Sequence, residues 1–206
     1  MTILFVCVAV PILLLLGLVD KKSRAVLGFA VIGMAVCIYA AQINGLLRAV
    51  VDDAFYLTTT FTPMTEEFLK ALPVLFYAFV ISDKREQLVT VSMAVGIGFA
   101  VMENAYMLVQ MGNVSFIWAV FRCFGAGLVH GLCTAAIGYG MSFVHKRRKL
   151  FISGTFALYA FACTYHSIYN MLVQSRFDYL GIVFPVITYG ISITAFALQK
   201  RKQNKK

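Results

Sequence analysis

Five side chains in this 206-residue sequence bring acid–base chemistry into strongly apolar surroundings, Glu66, Glu67, Glu103, His130 and His166, and Asn170 adds an amide beside them. An ionisable group at the centre of a bilayer costs between ~3 and ~15 kcal/mol depending on the measure, so each one needs a partner or a purpose. Lys70 lies four residues after Glu66 and three after Glu67, on the same helical face, and can neutralise one of the two carboxylates. Asn104 adjoins Glu103, and Phe99 sits one turn before that glutamate. His166 and Asn170 are spaced i, i+4, so an imidazole and an amide project in one direction. Close carboxylates in a low dielectric cannot all ionise, which leaves at least one as a proton acceptor near neutrality. Such a group suits a general base that activates water. Each group also has a plainer reading. Acidic residues in a first helical turn complement the helix dipole, a lone histidine on an apolar helix is commonly a satisfied core residue, and Glu103 could be a structural hydrogen-bond partner for a neighbouring helix.

The elements that position these groups are apolar helices. Of the residues 61% are hydrophobic and 13% charged, against a soluble norm of roughly 45–50% and about 25%. Seven apolar runs are long enough to cross a hydrocarbon core about 30 Å thick, at residues 2–19, 25–43, 63–81, 88–110, 116–143, 150–172 and 180–198. The expected fold is an all-α polytopic membrane protein with about seven transmembrane helices, forming a single domain over residues 1–206. The net charge of +9 could point to nucleic acid, but 14 of the 18 basic residues lie in alternate connections and the tail. These are Lys21, Lys22 and Arg24; Lys84 and Arg85; Lys146, Arg147, Arg148 and Lys149; and Lys200, Arg201, Lys202, Lys205 and Lys206. The positive-inside rule then gives an N-out, C-in topology, with membrane lipid rather than nucleic acid facing the basic tail. The first run lacks a basic leader and a small-residue cleavage site, so it reads as a retained helix. The five cysteines, all within runs and without a CxxC pair, read as packing residues.

Finer signals place the site. Thr62 and Pro63 read as cap and first residue of the helix carrying Glu66, following a longer external segment at 44–62. Pro73 is expected to free the carbonyl of Leu69 and break that helix beside the charged cluster. Gly127 and Gly131 flank His130 in a GxxxG spacing that lets another helix approach closely. Arg122 reads as an interfacial anchor.

Four segments together resemble the motifs of the PrsW family of intramembrane proteases, in the family's order. E66-E67-F-L-K70 is similar to EExxK, F99-A-V-M-E103-N104 to FAxxEN, H130 through G138-Y139 to the long His-to-Gly-Tyr motif, and H166-S-I-Y-N170 to HxxYD. The resemblance covers residues 62 to about 172, the motif-bearing core. Asn170 stands where the family pattern has Asp, and resembles the HxxxN of the related CAAX prenyl proteases. The resemblance implies an intramembrane endopeptidase of the cell membrane, of bacterial cytoplasmic-membrane type, that cuts a single-pass regulatory protein such as an anti-sigma factor near its extracytoplasmic side. Carried onto this chain, it makes Glu66 the general base, tuned by Glu67 and Lys70, with Glu103 sharing the water. His130, His166 and Asn170 would stabilise the oxyanion, with Asn104 in support. No cofactor is favoured, zinc being the alternative: members of the family are often labelled metalloproteases, and Glu103, His130 and His166 would make a three-ligand zinc site with one position open for water, although no HExxH occurs in the chain. A proton-coupled transporter or channel would also place carboxylates and histidines in a membrane cavity, and a non-catalytic membrane scaffold is the third reading. Other chemistry finds no motif: G96-I-G98 lacks the third glycine of a dinucleotide loop, and neither GxSxG nor a Walker lysine is present.

Overall fold

The computed structural model describes residues 1–203, without the side chains of Phe196 and of residues 199–203. The basic tail residues Lys200, Arg201, Lys202, Lys205 and Lys206 fall outside the described side chains. Among the described residues the chain is all-helical, in the order α1 (Thr2–Leu15), α2 (Lys21–Arg48), α3 (Ala54–Tyr56), α4 (Thr62–Phe76), α5 (Arg85–Met111), α6 (Phe116–Met141), α7 (Arg148–Val173) and α8 (Leu180–Gln203). Three of these, α2, α5 and α6, are long and apolar enough to cross a membrane. Helix α1 has 14 residues, a length of about 21 Å at 1.5 Å per residue; it ends four residues short of the expected run.

Local chemistry sets the helix ends. The Asp20 side chain accepts hydrogen bonds from the Lys22 and Ser23 amides and starts α2. Its carboxyl is held below the usual carboxylate range, first by the Ser23 hydroxyl. Ser115 caps α6 by accepting from the Trp118 amide at 3.2 Å. Helix α5 stops at Gly112, whose φ of 69° lies in a region side-chain-bearing residues avoid.

The largest departure from expectation is at residues 44–62. They are mostly helical: α2 continues to Arg48, and from Ala54 to Ile81 the chain is one unbroken helical run. Neither the cap at Thr62 nor the break at Pro73 forms. Two π-helical turns, Leu57–Phe61 and Tyr77–Ile81, take up the register instead. The first ends two residues before Pro63, and the second begins four residues after Pro73. A proline lacks the N–H that an α-helical register requires, and a shift to wider hydrogen bonding lets the run continue past it.

Helix α4 is amphipathic in the inverted sense. Its polar face is interior, with Glu67 and Lys70 at 0% exposure, while Phe68 (55%), Leu72 (46%) and Phe76 (56%) point outward. In water that arrangement would be self-defeating, whereas in lipid the apolar face is solvated and the charges find partners inside.

Helices α5 and α6 together form the packing centre, and small residues let their neighbours approach. A Cβ on Gly33 would fall on the Val95 carbonyl, one on Gly98 on the Ala30 carbonyl, and one on Gly96 on the His130 carbonyl. The close contact at His130 therefore comes from Gly96 of α5 against His130 and Gly131 of α6, and Gly127 takes no part in it. A Cβ on Gly127 would meet nothing within 4 Å, and one on Gly131 only side chains at 3.4 Å or more. Between membrane helices, such backbone proximity supplies the dispersion contacts that replace a hydrophobic driving force. Gly96→Ala is expected to destabilise the protein by about 1–3 kcal/mol in a detergent unfolding titration, through overpacking against the His130 backbone. Gly127→Ala should leave the transition where it is.

Candidate active site

Glu67 organises the interior. Its Oε1 accepts from Lys70 Nζ at 2.6 Å and from His166 Nδ1 at 2.9 Å, and all three side chains are buried. Lys70 thus pairs with Glu67, one turn away, leaving Glu66 for other contacts. The Lys70 ammonium also donates to His130 Nδ1 at 2.8 Å and lies over the Phe99 ring, 4.8 Å from its centroid. With Nδ1 accepting from Lys70, the single proton of a neutral His130 ring sits on Nε2, which faces Glu103 Oε2 at 3.2 Å. The two imidazoles meet edge to face, 4.7 Å apart.

Partners likewise fix the tautomer of His166. Its Nδ1–H points at the Glu67 carboxylate, so the neutral ring presents the Nε2 lone pair on its other side. Glu66 Oε2 lies 3.9 Å from that nitrogen, beyond direct hydrogen-bond range. This oxygen is buried and has no protein partner, whereas Glu66 Oε1 accepts from Asn44 Nδ2 at 3.2 Å. A carboxylate oxygen and an imidazole lone pair therefore face one another across a gap that one water-sized group would bridge.

Five of the expected site residues converge here: Glu66, Glu67, Lys70, His130 and His166. Glu103 stands at the edge, 23% exposed, tied to His130 on one side and to Arg122 Nη2 at 2.8 Å on the other. Arg122 is more than an interfacial anchor, since its guanidinium holds Glu103 and reaches the Tyr169 hydroxyl at 3.4 Å. Asn104 is buried next to Glu103, with its carbonyl oxygen unpaired.

Asn170 is engaged elsewhere. Its Nδ2 donates to the Thr58 carbonyl at 2.9 Å. In the π register that carbonyl faces position 63, where proline has no proton to give, and the Asn170 amide supplies it. An aspartate would be acceptor-only when ionised and could not make this bond. The departure from the family pattern thus has a local structural reason in the turn that leads into α4.

Two contributors escaped the sequence. Asn44 lies one residue beyond the expected end of its run, and Asn44–Gly45 reads as a turn dipeptide, yet α2 continues through it. Arg122 carried no spacing signal linking it to Glu103, because the two meet only through the packing of α5 on α6.

The donor set can be tested against a metal. Glu66, His130 and His166 each offer one ligand atom, all within 4.8 Å of one another. Two imidazoles and a carboxylate form a common catalytic zinc set. The Glu67–His166 bond is the outer-sphere contact that orients a metal-binding ring, and Glu66 Oε2 is unpaired. The residues fit, provided that His130 exchanges one of its present partners. Glu66 takes the place expected for Glu103 in that set.

No curated protein and no solved structure matches the chain. One family model, described as PrsW family intramembrane metalloprotease, matches residues 21–197, from the first turn of α2 into α8. The four motifs therefore lie within one family-wide match rather than in isolated coincidences, and the chain belongs to the PrsW family of intramembrane proteases.

Proposed function

We propose that the protein is an intramembrane endopeptidase that hydrolyses a peptide bond of a single-pass membrane protein with a water held between Glu66 Oε2 and His166 Nε2. The observation that carries the proposal is the buried, unpartnered Oε2 of Glu66 lying 3.9 Å from Nε2 of the buried His166 ring. A water donating to both would be polarised and aimed, and would deliver one proton to Glu66 as its oxygen bonds to the scissile carbonyl carbon. The carbonyl π pair moves to oxygen. Collapse of the tetrahedral species breaks the C–N bond, and Glu66 returns the proton to the leaving amine. Glu67 and Lys70 hold His166 and His130 in fixed tautomers, so the acceptors need no reorganisation during reaction. Glu103, bridging His130 and Arg122, keeps the second ring oriented at the wet edge of the site. A zinc ion held by Glu66, His130 and His166 would supply Lewis-acid polarisation and acidify the water.

Orientation is part of the proposal. We read seven membrane-crossing segments, N-out and C-in, with the site in the outer half of the bilayer. The basic connections support this. Lys146 pairs with Asp83 at 3.4 Å, and Arg85 lies over the Tyr139 ring, so the turns after Ile81 and after Met141 share one end of the bundle. Glu66 near the start of α4, Glu103 late in α5 and His166 late in α7 lie toward the opposite end. The substrate class we infer is a regulatory protein of the cell membrane, such as a membrane-anchored anti-sigma factor, cut near its extracytoplasmic side.

Glu66→Gln, Glu103→Gln and His166→Ala should each stop cleavage of a co-expressed single-pass substrate while expression is unchanged; cleavage surviving in all three would remove the site. Exposing purified protein to a chelator separates the two chemistries, since loss of activity restored by Zn²⁺ assigns the metal and unaffected turnover assigns the glutamate–histidine pair alone. Lys70→Met leaves the Glu67 carboxylate without its ammonium partner and should cost about 3–5 kcal/mol in detergent unfolding. Adding Glu67→Gln should restore part of that loss.

A further inference from the structure

Hydrolysis needs a donor for the developing oxyanion, and the imidazoles are poorly placed to be one. In the neutral tautomers set by their partners, the only N–H of His130 is given to Glu103 and the only N–H of His166 to Glu67. Both Lys70 contacts, to Glu67 and His130, bind it away from Glu66. Arg122 turns its Nη groups to Glu103 and Tyr169 and keeps Nε–H buried and unpaired, but it has no bond to Glu66, and the Asn170 amide is spent on the Thr58 carbonyl.

Asn44 differs in being bonded to Glu66 itself. Its Nδ2 carries two protons, one of which goes to Glu66 Oε1. Its Oδ1 is buried and has no protein partner. One amide at the reactive carboxylate therefore keeps a free donor and a free acceptor together, the complement of a peptide group. A buried polar atom left unsatisfied costs about 1–3 kcal/mol, so such an atom beside a reaction centre points to a ligand that satisfies it.

We propose that Asn44 of α2, which lies outside all four motifs, is a catalytic residue: its second Nδ2–H donates to the scissile carbonyl oxygen as that oxygen becomes an oxyanion, while Oδ1 accepts an N–H of the substrate backbone. This rests on the hydrolytic reading above. The covalent bookkeeping is that of the hydrolysis itself, with Asn44 contributing hydrogen bonds and no proton. The bond to Glu66 has a second effect, since it holds Oε1 and so turns Oε2 toward His166.

Removing one oxyanion donor typically lowers kcat by 10²–10³-fold. Asn44→Ala is expected to show a loss of about that size in kcat with a smaller rise in KM from the lost Oδ1 contact, and Asn44→Asp, isosteric but without the N–H, should do no better in kcat. A second readout separates oxyanion binding from the positioning of Glu66. In a Glu66→Gln background, affinity is measured for an uncleaved substrate transmembrane peptide and for a peptidyl aldehyde, whose hydrate is tetrahedral. Adding Asn44→Ala should weaken the aldehyde at least tenfold and the uncleaved peptide far less. Equal affinities for the aldehyde with and without Asn44, or turnover by Asn44→Ala within threefold of wild type while Glu66→Gln is dead, would overturn the assignment and leave the hydrolytic reading intact. Turnover persisting in Glu66→Gln and His166→Ala would instead strike at that reading, and the assignment would fall with it.

Discussion

The arrangement depends on one buried carboxylate. Glu67 is fully enclosed and joins a cation from its own helix to an imidazole from α7. Placing two charges in a low-dielectric interior is tolerable only when geometry is good and the remaining polar atoms are satisfied. Lys70 meets that demand on its own side by also engaging His130 and the face of Phe99, while Glu67 Oε2 has no protein partner; one ammonium thus ties together side chains from α4, α5 and α6. The consequence is order. Each imidazole has one nitrogen assigned by a charged neighbour, and neither can rotate without leaving a charge unpaired inside the bundle.

That constraint explains why the bundle packs as it does. The helices must approach closely enough for short polar side chains to meet, and Gly33, Gly96 and Gly98 remove the Cβ atoms that would hold α2, α5 and α6 apart. Gly96 sits against the backbone of His130 itself, so the packing contact and the placement of a functional ring are one feature. Aliphatic side chains such as Val95, Val129 and Ile137 fill the space around this seam. The outward face of α4, by contrast, is left to Phe68, Leu72 and Phe76, and its packing partner is lipid.

Much of this was legible in the amino-acid order. Charged residues stranded in apolar runs had to meet partners, and Glu66, Glu67, Lys70, His130 and His166 do so. Spacing along one helix fixed which face each group shared, which is a local property. Pairings between helices were not legible: Lys70 could reach either glutamate by spacing alone, and only packing selects Glu67. The link from Arg122 to Glu103 joins residues that sequence periodicity treats independently. Asn44 was hidden because its neighbour Gly45 imitates a turn, a signal overridden when tertiary contacts extend the helix. The π turns escaped for a related reason, since proline announces a disruption in the hydrogen-bond ladder without saying whether the chain breaks there or rewinds.

The π turn at Leu57–Phe61 bears on how the sequence can change over evolutionary time. Such a turn amounts to one residue inserted into an α-helix, and each residue advances the helix by about 100°. Losing a single codon between Thr58 and Pro63 would shift the phase of Thr58 relative to Glu66 and move the carbonyl that Asn170 serves. The irregular connection at residues 49–53 has no such phase to keep. Length variation among relatives should therefore accumulate there, and the π stretch should remain constant in length even where its residues drift.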